Sequence, residues 1–204
     1  MDIILKPFSN PNLPIITLPG FFDDFNRASA DVLGSTVDVK DWKVFDSGST
    51  SSVWGTYGDN TGGMKSSTSG SHIACVDALT PDGTLSATLS DASDVSSVRY
   101  GLALRVVDAE NYISIAGGSG SLSDRTVISV YTGGDVTLLG PRLPALVEGD
   151  TIRATVQASR ISVQINDGET YSETLPTDMS GTSHGLFSFH GATAKWDEIK
   201  FTPA

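Results

Sequence analysis

The sequence predicts an all-β fold, an antiparallel two-sheet sandwich of jelly-roll type, and three observations carry that expectation. Apolar and polar residues alternate with period two in one run after another, with no helical crossover pattern between the runs. The runs are punctuated by Gly, Asp and Asn pairs of the kind tight turns require. Finally, the 204 residues include 21 glycines and are only 18% charged, so the Ala, Leu, Glu and Lys that fill helices are scarce.

The clearest element is a hairpin. In 151–157, Ile152, Ala154 and Val156 alternate with Thr151, Arg153 and Thr155; in 160–166, Ile161, Val163 and Ile165 alternate with Ser162 and Gln164. Ala158-Ser159 joins the two runs, and each presents one face for burial. The next turn, Asn166-Asp167-Gly168, carries the Asp-Gly pair that suits positive φ. Further strands are expected at 73–78, 84–89, 97–107, 112–116, 126–131, 136–139, 185–190 and 195–201, with turns at Pro81-Asp82-Gly83 and Gly133-Gly134-Asp135. Only 26–33 hints at a helix. More than ten strands without crossovers imply two packed antiparallel sheets.

The chain divides once, near residue 20. Pro7, Pro11, Pro14 and Pro19 punctuate residues 1–20 and forbid a helix there, favouring an extended path. Interleaved Ile3, Ile4, Leu5, Phe8, Leu13, Ile15, Ile16 and Leu18 make the segment too apolar for a solvated linker. It either packs on its own domain as an extra strand or docks on another chain; the expectation carried forward is an extended N-terminal docking arm (1–20) on a sandwich domain (21–204).

Charge excludes several classes. Thirteen basic against 24 acidic residues give −11 and a pI near 4.4, which repels nucleic acid and anionic lipid. No apolar run approaches the 18 residues of a membrane span, and residues 1–20 lack the basic stretch and unbroken apolar run of a signal peptide. Cys75 is the only cysteine, so an intramolecular disulfide and a Cys-based zinc site are ruled out; it reads as a small core residue of a chain made in a reducing cytosol.

A set of motifs in order then resembles the concanavalin A-like (laminin G-like) jelly-roll domains found in phage tail proteins and bacterial surface proteins. These are Phe22-Asp23-Asp24-Phe25-Asn26-Arg27-Ala28 followed by Leu33-Gly34 and Trp42, then the run from Gly101 to Arg105 leading into Asp108-Ala109-Glu110-Asn111-Tyr112. Glu148-Gly149-Asp150-Thr151-Ile152-Arg153, the strand ending at Asn166-Asp167-Gly168, and Gly185-Leu186 with the closing Lys195-Trp196-Asp197-Glu198-Ile199-Lys200-Phe201 complete the set, which spans 21–202. Phe22, Phe25 and Phe201 suggest that the first and last strands pair and protect an edge. Asp108 and Asn111 suit a tight turn whose side chains bond nearby backbone.

Chemistry is sparsely marked. Hydrolases that share this fold carry Glu-x-Asp-x-x-Glu on one strand, placing paired carboxyls across the scissile bond. Glu110, Glu148, Glu169, Glu173 and Glu198 form no such pattern; Gly-x-Ser-x-Gly and the P-loop are absent, and His72, His184 and His190 lack metal-ligand spacing. The chain is therefore expected to be no enzyme and to need no cofactor, apart from a structural calcium held by Asp23, Asp24 and Asp197 where the terminal strands meet. For sugar contact the candidates are the aromatics Trp54 and Tyr57, with Trp42 and Trp196 assigned to the core. The expected function is a phage minor tail or other virion accessory protein, present in many copies. Ile3, Ile4, Leu5, Phe8, Leu13, Ile15 and Ile16 anchor it to other virion proteins, and the lectin-like sandwich is displayed to host-surface carbohydrate. The alternative is a carbohydrate-binding module of a surface or secreted protein.

Overall fold

Alternation is converted into sheets strand by strand. The computed structural model describes residues 19–48, 51–67, 69–92, 98–118, 125–176, 179–191 and 193–204. Among them run fifteen strands: β1 (Phe21–Asp23), β2 (Lys43–Asp46), β3 (Ser52–Thr56), β4 (Gly62–Ser67), β5 (Ser71–Asp77), β6 (Gly83–Asp91), β7 (Arg99–Val106), β8 (Tyr112–Gly118), β9 (Thr126–Thr132), β10 (Asp135–Leu143), β11 (Thr151–Gln157), β12 (Arg160–Ile165), β13 (Thr170–Thr174), β14 (Ser183–Phe189) and β15 (Lys195–Pro203). The first sheet is ordered β13-β12-β11-β6-β15-β4-β3, with β1 also on β15; the second is β10-β9-β8-β7-β14-β5-β2. Every pairing is antiparallel. This is the two-sheet jelly-roll sandwich that the alternation implies.

The 151–165 hairpin forms in the expected register, Ile152 opposite Ile165 and Val156 opposite Ile161 around Ala158-Ser159. Terminal-strand pairing also forms: Phe21 lies opposite Phe201, the rings stacked at 6.2 Å. No helix occurs among the described residues, and 26–33 is irregular chain. Arg27 explains it: its guanidinium reaches the Leu33 carbonyl at 2.6 Å and the Asp23 carboxylate at 2.7 Å, and the segment folds around that side chain instead of bonding to itself.

Between the sheets, Leu85, Leu89, Ile152 and Val156 of the first face Leu102, Ile113, Ile128 and Leu186 of the second in one buried core. Trp196 and Cys75 are buried as expected, Trp42 partly so; burial pushes the Cys75 thiol up to about 12. One end is tied by a buried cation. A bulge opposite β14 gives Arg105 a φ of 48° and sends its side chain, 2% exposed, out of the ladder. Its Nη2 donates to Asp82 Oδ1 and to the Ala158 carbonyl, both at 2.6 Å, and its Nε to the Pro81 carbonyl at 3.2 Å. Asp82 in turn accepts from the Ala158 amide at 3.1 Å. The arginine that closes the apolar run in the sequence motif thus fastens the β5–β6 turn and the β11–β12 hairpin to the second sheet.

Candidate functional site

The two outer faces differ in a way that locates the site. In the first sheet β6 and β11 are buried on one side only. In the second sheet β5, β7, β8 and β14 are buried on both. The cause is a second apolar layer on its outside, formed by Ile73, Cys75, Ala103, Tyr112, Ala116 and Phe187, with Phe45, Tyr131 and Phe189 half-buried over it. Register explains the layer. Phe187 sits opposite Gly101, Gly101 opposite Ala116, Gly185 opposite Ala103, and Ala103 opposite Ser114, so small residues floor the face and leave room for rings above.

Tyr112 and Tyr131, cross-strand partners, stack at 4.2 Å with planes 12° apart, and both rings lean on Phe187. Above them opens a groove of about 620 Å³ lined by Tyr131, Phe189, Arg99, Glu110, Ser47 and Ser71 among others, with Tyr112 beneath. The Arg99 guanidinium lies 5.7 Å from the Phe189 ring centre. The Tyr112 hydroxyl is fully buried; burial, with Tyr131 adding to the rise and Ser71 opposing it, pushes its ionisation far above the ordinary phenol value. The turn expected at Asp108 and Asn111 supports this rim. Asp108 accepts from the Glu110 amide at 2.8 Å and from Asn111 Nδ2 at 2.9 Å, while Asn111 Oδ1 accepts from the Gly133 amide at 2.9 Å. Aromatic rings flanked by hydroxyls, one cation and one carboxylate can stack on a ring of mixed polarity and hydrogen-bond its edge.

The residues singled out in the sequence lie elsewhere. Trp54 is 4% exposed, its indole Nε1 bonded to Ser52 Oγ at 2.9 Å. Tyr57 is half-buried, its hydroxyl donates to the Met64 carbonyl, and the ammonium groups of Lys65 and Lys195 stand 5.3 and 5.0 Å from its ring. Both side chains make hydrogen-bond or ring contacts within the domain, and both lie away from the groove over Tyr112. Asp23 lies where the terminal strands meet, opposite Ile199. Its buried carboxylate accepts Arg27 Nη1 and Nη2 at 2.8 and 2.7 Å, Trp42 Nε1 at 2.7 Å and the Phe25 amide at 2.9 Å. The positive charge at the terminal strands is thus the Arg27 guanidinium, and the carboxylate's acceptor positions are taken. Asp24 accepts from the Asn26 amide at 3.0 Å and Asp197 is exposed. No group of three or more His, Cys, Asp or Glu suited to a metal occurs among the described residues. Ile3, Ile4, Leu5, Phe8, Leu13, Ile15 and Ile16 lie outside the described residues.

Fold and groove together define a class: a concanavalin A-like jelly-roll β-sandwich with an aromatic groove on one outer face. No family model and no curated protein matches the chain. Solved structures do. It is similar to the carbohydrate-binding module CBM66 from Bacillus subtilis (12% identity, TM-score 0.62, 79% of this chain and 95% of that one). It is also similar to a Bacillus licheniformis beta-glucanase (12%, 0.60, 92% and 100%) and to a beta-1,3-1,4-glucanase, or lichenase, from a mouse hindgut metagenome (13%, 0.58, 92% and 100%). At these identities the likeness shows the fold alone. It still corrects one expectation. The lack of a Glu-x-Asp-x-x-Glu strand does not make the chain a non-enzyme, since the same sandwich serves glucanases as well as a binding module, and that exclusion does not stand. None of these neighbours is described as a virion or tail protein.

Proposed function

We propose that the chain is a carbohydrate-binding β-sandwich that holds a glycan in the groove on the outer face of the second sheet. The observation that carries this reading is the pair of half-buried rings, Tyr131 and Phe189, set over small residues and flanked by Ser47, Ser71, Arg99 and Glu110. Sugar rings present apolar C–H faces and polar edges; Tyr131 and Phe189 supply the surface for the first, the serines and the two charged groups the partners for the second. Likeness to a carbohydrate-binding module and to glucanases supports the ligand class. Display of the groove on a virion, the finer reading, rests on the sequence of residues 1–18 alone.

The test is a glycan array with the full chain, followed by calorimetry on the strongest hit. Tyr131→Ala is expected to weaken binding by about tenfold or more, since loss of one stacked ring removes roughly 1.4 kcal/mol or more. Tyr57→Phe is expected to leave affinity unchanged. Binding that survives Tyr131→Ala and Phe189→Ala would overturn the site. Release of reducing ends from the bound glycan is measured in the same samples; Glu110, the one carboxylate among the described lining residues, is then the first position to change.

A further inference from the structure

A second groove, independent of the glycan reading, lies on the flank where both sheets end. Among the described residues β2 pairs with β5 and β3 with β4, each standing at the end of its sheet, and folded proteins ordinarily cover such edges. Residues 26–42 cover part of this flank. Ala30 pairs with Thr56 at one end of β3, and at the other Asp46 of β2 accepts from the Ser52 hydroxyl at 2.6 Å, closing the gap between the sheets. Between these closures a groove of about 560 Å³ stays open, walled by Val32, Leu33, Trp42, Val44, Val53 and Trp54. Val32 is 66% exposed, Val44 45% and Val53 36%, an apolar patch beside two indoles, with Asp31 and Asp41 also in the groove lining.

The described chain starts beside it. The Gly20 carbonyl accepts Lys40 Nζ at 2.6 Å, its amide donates to the Ala78 carbonyl at 3.0 Å, and the ring of the next residue, Phe21, packs at 6.1 Å on Trp42, one wall of the groove. Residues 1–18 carry eight large apolar side chains from Ile3 to Leu18. Fully extended they reach roughly 60 Å, more than any groove on a domain of this size requires. Tethering at the groove wall gives them an effective concentration in the millimolar range for this flank. An extended, proline-punctuated strand suits a sheet edge, because its prolines need no ladder partner and its alternate residues can bond the free groups.

We propose that residues 1–18 dock into the β2–β3 groove of their own sandwich, seating apolar side chains on Val32, Val44 and Val53 and covering both sheet edges. The experiment uses the full chain and limited chymotrypsin, with cleavage after Phe8 followed by mass spectrometry. Cleavage is expected to be at least about tenfold slower than in a synthetic peptide of residues 1–18, because only the undocked fraction is cut. Val32→Asp and Val53→Asp, each setting a charge on the apolar patch, are expected to raise the rate about tenfold with the melting transition retained, while Val107→Asp, on an exposed turn, leaves it unchanged. Cleavage as fast as that of the free peptide overturns the proposal and returns the segment to a role on another protein. Protection that fades on dilution, with a dimer mass by light scattering, also overturns it, by assigning the groove to the segment of a second copy.

Discussion

The outer faces of the two sheets are built from one alphabet under opposite rules. On the first sheet, Thr84 and Thr155 share a hydroxyl hydrogen bond at 2.8 Å, as do Thr88 and Thr151 at 2.9 Å, so polar side chains pair across strands where water also reaches. On the second sheet the same positions hold Gly101, Ala103, Ser114 and Ala116 beneath Tyr112, Tyr131 and Phe187. A sheet in a sandwich needs only one apolar face to fold. The second sheet goes beyond that requirement: its outer apolar layer is itself buried, and of the rings around it Phe45, Tyr131 and Phe189 are half-buried.

The largest effect expected is on the framework that both faces share. Arg105→Ala removes the cation that holds Asp82, Pro81 and Ala158 together and should cost about 3 kcal/mol, a fall of roughly 6–12 °C in Tm by calorimetry. A smaller change would mean that the two sheets hold together without the clasp.

Next in size is an acid sensitivity confined to the inner side. His184 is fully buried, its ring stacked 4.0 Å from Phe201, and burial lowers its pKa to about 4, with Arg105 adding to the fall and Thr80, Asp77 and Asp82 opposing it. Because the unfolded chain binds this proton near pH 6.5 and the fold does not until near pH 4, stability is complete above about 6.5 and declines as pH falls between the two values, by about 3 kcal/mol in all. Denaturant melts across pH 4–7 should show that slope, and His184→Gln should flatten it.

On the faces themselves the contrast sharpens into a pair. Tyr131→Ala should abolish most glycan affinity in calorimetry, whereas Thr155→Ala, which removes one hydroxyl bond from the first sheet, should leave affinity unchanged and stability within about 0.5 kcal/mol. If the threonine change weakened binding as much as the tyrosine change, the distinction between the faces would fail.

Strands with one wet face were legible because their alternation is written in residue type, as in 151–157 and 160–165. β2, β3, β4 and β13 were not. Gly62-Gly63-Met64-Lys65 carries no period of two, and β13 lies at the far edge of its sheet with mostly exposed residues. The groove was illegible for a related reason. Tyr112, Tyr131 and Phe189 are far apart in sequence and flank ordinary turns; what brings them together is the order β9-β8-β7-β14, which a strand list does not contain. The nearest available signal was the small-residue content of β7 and β8, unusual for strands and explained only by rings lying across them. The place of Asp23 at the terminal-strand pair is legible in the motif order; its ion pair with Arg27, four residues on, is a contact that only the fold displays.

The pairing of Phe21 with Phe201 has a consequence for architecture. A domain whose first and last strands lie side by side enters and leaves at one point, so it can be spliced into a surface loop of another protein without stretching either partner. By the same geometry a chain of residues 20–204 can be joined end to end and reopened at the exposed Gly133-Gly134 turn, leaving each described strand intact.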